Sequence, residues 1–309
     1  MAYTKHVPVV LFLLMSVIGT GVMLYPTISD QINSKRQTKA IAAYHTEISH
    51  TSNKKIEEVL AEAVRYNEGL LSFNGIAANS DVIKKEYNKT LRLDVSDVMA
   101  YIEVPKIDVY LPIFHGTDKS VLQVGVGHLE GTSLPVGGDN THAALSGHRG
   151  LPSAKLFTNL DKLEIGDMFM VHVLGKTLYY EVDKIDIVLP DQVDKLFIEP
   201  GRDLVTLITC TPYAVNTHRL LVTGSRIMDV NLPEEAIPLG APLEQVNWSG
   251  SPVTLPFQSQ ILLASAALAL VIKIILELRQ KRLREEYAQR KKTAVREYKK
   301  PSINQSKLA

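Results

Sequence analysis

Apolar positions open the chain as one unbroken block. From Val7 to Tyr25, nineteen residues carry no charge, and Lys5 and His6 precede them. A helix needs about 20 such residues to cross a bilayer. A cleaved leader is the alternative, but its apolar part would be unusually long and no clear A-x-A site precedes Pro26. An uncleaved anchor over residues 1–25 is therefore expected. From Thr27 to about Leu93 the pattern turns polar with a helical period. Ile56, Val59, Leu60, Ala63 and Val64 share one helical face, and Gly69 and Phe73-Asn74-Gly75 end it. A second helical stretch is predicted from Asp81 to Leu91. Residues 26–99 read either as a spacer between membrane and domain or as a lid over a site.

From Ala100 to Ile227 the period shortens to that of strands. Tyr101–Val104 and Val109–Ile113 flank Pro105-Lys106-Ile107-Asp108, and Met168–Val173 and Thr177–Val188 flank Leu174-Gly175-Lys176. Asp203–Ser225 holds two further apolar runs around Thr211-Pro212-Tyr213-Ala214-Val215-Asn216. Short strands at this spacing predict a mainly β domain over 100–230, a barrel or sandwich with short helices inserted. One such helix is predicted after Pro152, with Ser153 as its cap and Leu156, Phe157 and Leu160 as its apolar face.

Five prolines between Asn231 and Pro256 (Pro233, Pro238, Pro242, Pro252, Pro256) read as an extended linker over 231–256. A second apolar run follows from Phe257 to Leu276, with Lys273 able to snorkel to the interface, and predicts a membrane helix over 257–278. Composition adds an asymmetry. The net charge of the chain is +1, yet residues 279–309 hold eleven Lys/Arg against three Glu, and the remainder 23 Lys/Arg against 30 Asp/Glu. An acidic body with a basic tail argues against nucleic acid as the partner and for a membrane surface. The positive-inside rule keeps that tail, and with it the Lys5 end, in the cytoplasm. Residues 26–256 are then extracytoplasmic.

A hydrophobic content of 45% and a charged content of 22% fit a packed core. The chain has one cysteine, Cys210, so no intrachain disulfide exists and its thiol is either inert or chemical. Cys210 closes the apolar run Leu204–Ile208, and Arg219 opens the next one, which places a nucleophile and a fixed cation on one rim. Free cysteine is also often just a small buried hydrophobe. A working nucleophile needs a base and donors for the oxyanion. Of nine histidines, His148 ends the apolar stretch Ala144–Ser146 in a glycine-flanked loop, where an imidazole is exposed for acid–base work. The plainer readings are a loop histidine and a surface arginine.

Together these residues resemble a known family. The stretches GHLEGTSLPVGGDNTHAALSGHRGLPSAKLF (Gly127–Phe157) and TLITCTPYAVNTHRLLVTG (Thr206–Gly224) resemble the sortases. Within that family they are similar to class C, the pilus-assembling enzymes of Gram-positive surfaces. The resemblance covers about Tyr101 to Arg226 closely, and both membrane runs in layout. It implies a closed eight-stranded β-barrel preceded by helices. It implies that Cys210 attacks the Thr–Gly carbonyl of an LPxTG-like sorting signal and forms a thioacyl enzyme. His148 would protonate the leaving amine and deprotonate the incoming one, and Arg219 would hold substrate and oxyanion. Thr209 and Thr211, which flank the thiol, would support substrate or oxyanion. The donors would be pilins or other surface proteins bearing the signal, the acceptor a lysine amine of the next pilin, and no cofactor or metal is required. Many class C enzymes carry an Asp-Pro-aromatic tripeptide ahead of the barrel that blocks the cysteine. None occurs between Thr27 and Ala100, where SFNGIAANSD stands.

Three other chemistries fit less well. A papain-like protease places its histidine downstream of the cysteine, and here His148 precedes Cys210. An L,D-transpeptidase also carries Cys on a β domain, but in a Ser-His-Gly-Cys setting unlike Ile208-Thr209-Cys210-Thr211. No HExxH or paired-Cys spacing indicates zinc. Outside class C, a housekeeping-type sortase acting on cell-wall peptide remains an alternative, as does a non-catalytic, membrane-tethered scaffold.

Overall fold

Alternation of apolar and polar residues builds eight strands that close on themselves. The computed structural model describes residues 7–71, 85–228, 273, 275 and 277–292. The strands are β1 (Val98–Val104), β2 (Val109–His115), β3 (Val126–His128), β4 (Thr141–Ser146), β5 (Met168–Val173), β6 (Lys176–Val188), β7 (Asp203–Thr211) and β8 (His218–Ile227). They form a closed barrel in the order β1-β2-β3-β4-β7-β8-β6-β5. Closure removes the free edges that an open sheet would leave for aggregation. β2/β3 and β4/β7 are parallel pairs, and the other pairs are antiparallel.

The pleat sorts side chains between two apolar layers. Ala143, Leu145, Val205, Leu207, Leu220 and Val222 point into the main core. Their neighbours Ala144, Ile208 and Leu221 point outward and pack with Val188 and Leu196 as a second cluster. This outer cluster seats the connection between β6 and β7 on the barrel wall. His142, on the same outward side of β4, fastens it further. Its Nδ1 donates to Phe197 O at 2.8 Å, and its Nε2 accepts from the Thr206 hydroxyl at 2.7 Å.

Two long helices precede the barrel, α1 (Val7–His50) and α2 (Asn53–Leu70). α1 is one helix that runs through Pro26. Its Asp30 accepts from Lys155 N at 2.8 Å, and its Asn33 side chain donates to Ser153 O at 2.8 Å. α2 starts at Ser52, whose hydroxyl accepts from Lys55 N and satisfies an otherwise orphaned donor. The face of α2 that packs is Val59, Ala63, Tyr66, Asn67 and Leu70, with Ile56 and Leu60 partly buried beside it. Val64, expected on that face, is 38% exposed.

The helix expected after Pro152 is not formed. Residues 152–153 and 156–159 are turns, followed by a 3-10 turn at Leu160–Lys162. Leu156 has φ +40°, which no α-helix accommodates. The Phe157 N–H is engaged by His148 O, and the Lys155 N–H by Asp30. Of the second predicted helical stretch, only Lys85–Tyr87 is helical among the described residues, with turns to Leu91.

Among the described residues no helix is long and apolar enough to cross a membrane. The side chains of residues 7–13 are not among them. The linker 231–256, nearly all of the run 257–278 and the segment SFNGIAANSD lie outside the described residues. Residues 277–292 are helical and exposed. The barrel and the helical turns packed on it belong to one compact unit, Met23–Ser249, and the chain ends to a second.

A buried histidine ties the chain ahead of the barrel to β3. His128 is fully buried; its Nε2 donates to Ser133 O at 2.7 Å and its Nδ1 accepts from the Tyr87 hydroxyl at 3.0 Å. Burial pushes its pKa down to about 4. An unfolded histidine titrates near 6.5, so between about pH 6.5 and 4 the unfolded chain holds more protons. Stability is therefore full above pH 6.5 and falls as the pH drops towards 4, by up to roughly 3 kcal/mol from this residue. Urea unfolding at pH 7 and pH 4.5 is expected to show a smaller pH dependence in His128→Asn than in the wild type. Equal pH dependence in the two proteins would exclude His128 as the source.

Candidate active site

Parallel pairing explains how distant residues reach one rim. β4 and β7 run the same way, in register from Thr141 with Asp203 to Ser146 with Ile208. Their C-terminal ends therefore emerge together. The ladder continues past β4, since Gly147 N donates to Ile208 O at 3.0 Å. His148 lies two residues beyond Ser146, in the loop that leaves β4, and Cys210 two residues beyond Ile208 within β7, so the loop and the thiol share one end of the barrel. β8 enters antiparallel on the other side of β7, where Cys210 is paired with Arg219. Directly opposed residues project from one face with Cβ atoms about 5 Å apart. By the pleat, that face is the outward one carrying Ile208 and Leu221. The structure thus sets Cys210 and Arg219 side by side in one outward row and brings the loop that carries His148 to the same end of β7.

Each of the three is partly accessible. Cys210 is a free thiol at intermediate burial. Partial burial holds the His148 imidazole below its ordinary pKa, which makes its protonated form the more ready donor. The Arg219 Nη1 donates to Asn216 O at 3.2 Å and to His218 O at 3.1 Å. These two bonds fix the guanidinium against the β7–β8 connection.

The flanking threonines take the opposite face. Thr209 is buried and its hydroxyl donates to Gly147 O at 2.7 Å, which ties the His148 loop to β7. The Thr211 hydroxyl accepts from Arg149 Nη1 at 3.2 Å. Both hydroxyls are thus engaged with the loop from Gly147 to Arg149. That loop also requires glycine, because a Cβ on Gly147 would lie 2.6 Å from the Phe157 ring. The Gly147–Phe157 contact and the His142–Phe197 bond escaped the sequence reading. The only trace of the former is the spacing from Gly147 to a lone aromatic ten residues on.

Two connections border the row and expose apolar side chains. Leu189 is 46% exposed where the β6–β7 connection leaves β6, next to the Val188–Arg219 pair, and Tyr213 is 55% and Val215 63% exposed on the β7–β8 connection. Among the described residues no group of three or more His, Cys, Asp or Glu is placed to hold a metal ion. A cavity of about 400 Å³, lined by Gly138, Asp203, Arg226 and Met228 among others, lies at the other end of β7. Seven residues of strand, about 23 Å, separate Asp203 from Cys210, so the cavity takes no part in the chemistry of the thiol. The row itself can perform acyl transfer. With the His148 loop beside it, the row offers a nucleophile, an acid–base group and a cationic donor.

Residues 102–227 match the family described as sortase domain. The crystal structure of sortase C1 from Streptococcus agalactiae superposes with a TM-score of 0.60 at 45% identity, covering 62% of this chain and 100% of that one. Sortase C-1 from Actinomyces oris superposes with a TM-score of 0.53 at 50% identity, covering 56% and 99%. By sequence, Sortase A of Streptococcus agalactiae serotype III is 30% identical over 182 residues, which is 58% of this chain and 70% of that protein.

Proposed function

The chain belongs to the sortase family of cysteine transpeptidases, and from that premise we propose that it polymerises pilins outside the cell membrane. It cleaves an LPxTG-like signal between Thr and Gly and joins the acyl group to a lysine amine of a pilin subunit. The observation that supports this reading is the pairing of Cys210 with Arg219 across β7 and β8, with the loop that carries His148 bonded to the same end of β7. The class C assignment draws on the likeness to the two C-type structures.

The reaction runs in two acyl transfers. Cys210 Sγ attacks the threonine carbonyl carbon, and Arg219 donates to its oxygen as negative charge builds there. The Thr–Gly C–N bond breaks, the leaving amine takes a proton from His148, and a thioester remains on Cys210. A lysine ε-amine then attacks the thioester and gives a proton to His148. The S–C bond breaks, and an isopeptide bond forms. Thr209 and Thr211 act from behind, by holding the Gly147–Arg149 loop to the end of β7. The exposed Leu189, Tyr213 and Val215 supply an apolar border for the Leu-Pro part of the signal.

The apolar runs Val7–Tyr25 and Phe257–Leu276 cross the membrane in this reading, with the basic tail in the cytoplasm. Residues 100–230 form the catalytic domain. Product analysis tests the acceptor. Incubated with a sorting peptide and a pilin-derived lysine peptide, the protein is expected to give a product whose fragmentation places the new bond on the lysine Nε. Transfer to a cell-wall peptide amine alone would replace pilin polymerisation by wall attachment.

A further inference from the structure

Arg149 follows His148 directly, and Thr211 follows Cys210 directly. The Arg149 guanidinium spans the segments that carry both. Nη1 donates to Thr211 Oγ1 at 3.2 Å. Nη2 pairs with Asp161, which lies in the 3-10 turn beyond the His148 loop. The guanidinium carbon sits 5.8 Å from the centroid of the Tyr213 ring, on the β7–β8 connection. The same ring closes on Gly150, where a Cβ would come within 2.9 Å. The Arg149 side chain is only 9% exposed, and its Nε is buried without a hydrogen-bond partner.

These contacts are a poor way to gain stability. Burying a guanidinium with one N–H unmet costs desolvation that a half-exposed carboxylate partner does not fully return. As a geometric device they are effective. A planar fork with donors in fixed directions binds three chain segments at once, and lysine offers no such fork. One of those segments adjoins Cys210, and another is the 3-10 turn beyond the His148 loop. The third is the connection whose Asn216 O holds Arg219.

We propose that Arg149 is a positioning residue, clamping the β4 loop to the end of β7 so that the His148 imidazole is held in working distance of the Cys210 thiol. The proposal rests on the transpeptidase reading above and adds to it a residue that touches no substrate. Reacting groups must sit about 3–3.5 Å apart, and a misplacement of 1 Å costs about a hundredfold. Arg149→Met is therefore expected to lower kcat roughly ten- to a hundredfold, with KM for the sorting peptide within about twofold. Arg149→Lys keeps the charge facing Asp161 but loses the fork, and recovers only part of the rate.

The test uses the full chain and a readout that a merely structural residue would leave alone. The rate of Cys210 alkylation by iodoacetamide is measured against pH in wild type, His148→Ala and Arg149→Met. The Arg149→Met profile is expected to leave that of the wild type and approach that of His148→Ala, with thermal unfolding little changed. An Arg149→Met profile that overlays the wild type, or three coincident profiles, overturns the proposal. If Arg149→Met does not fold, Asp161→Asn loosens the same clamp from its exposed side, and a profile unchanged in that folded variant overturns the proposal equally. The alkylation profile requires no peptide substrate. Absence of an acyl-enzyme in the wild type would therefore sink the transpeptidase reading while still deciding the role of Arg149.

Discussion

Cys210→Ala is expected to abolish acyl transfer, with a loss of about 10⁴-fold or more, as removal of a covalent nucleophile does. The size of the effect follows from the sequence and the fold together. No other cysteine exists in the chain to take over, and the neighbouring Thr209 and Thr211 hydroxyls are engaged on the opposite face of β7. The substitution removes one partly exposed sulfur and leaves the β7–β8 ladder intact, so the stability change is expected to stay within about 1 kcal/mol. Loss of activity with an unchanged thermal midpoint is the expected pair of results. Substantial turnover by the alanine variant would remove Cys210 from its role.

His148→Ala and Arg219→Ala are each expected to lower the rate about a hundredfold or more, through different steps. Without His148 the leaving amine must depart unprotonated, so the acylation step slows. A peptide with a better leaving group, such as an activated ester of the same acyl part, should restore much of that loss. Without Arg219 the carbonyl oxygen loses a charged donor as it becomes an oxyanion, and the ester offers little relief. Single-turnover acylation by amide and ester substrates distinguishes the two. Equal ester rescue in both variants would contradict the division of roles, and near-normal turnover in either would remove that residue.

Much of this fold was legible as local pattern. Tyr101–Val104, Val109–Ile113, Met168–Val173 and Thr177–Val188 all lie within strands; the last two alternate buried and more exposed residues, and the first two are short apolar runs bounded by turn residues. β3 was not legible, since Val126–His128 is three residues with a central glycine. The predicted helix after Pro152 carried the right apolar spacing, but tertiary bonds won. Phe157 N and Lys155 N are taken by His148 O and Asp30, which local propensity does not record. Val64 had the right spacing too, and lies at the margin of the packed stripe on α2.

The site divides in the same way. Cys210 and Arg219 are nine residues apart on one hairpin, and a strand–turn–strand reading places them on a common rim. His148 reaches that rim through a parallel pairing between strands 62 residues apart, a contact with no local signature. Motif resemblance supplied it, and periodicity did not. The roles of Thr209 and Thr211 depend on which face of β7 each occupies. That follows from register, and register follows from the barrel. Arg149 is the clearest case of hidden information, because Asp161 lies twelve residues on in its own connection while Thr211, 62 residues on, ends β7 and Tyr213 lies in the β7–β8 connection.

The measurement that bears most directly on the central claim is the intact mass of the full chain, in detergent, after mixing with an LPxTG peptide. The predicted result is a gain equal to the peptide acyl group ending at threonine, released by hydroxylamine and absent from Cys210→Ala. No adduct across a series of sorting peptides, or an adduct that persists in Cys210→Ala, would contradict it.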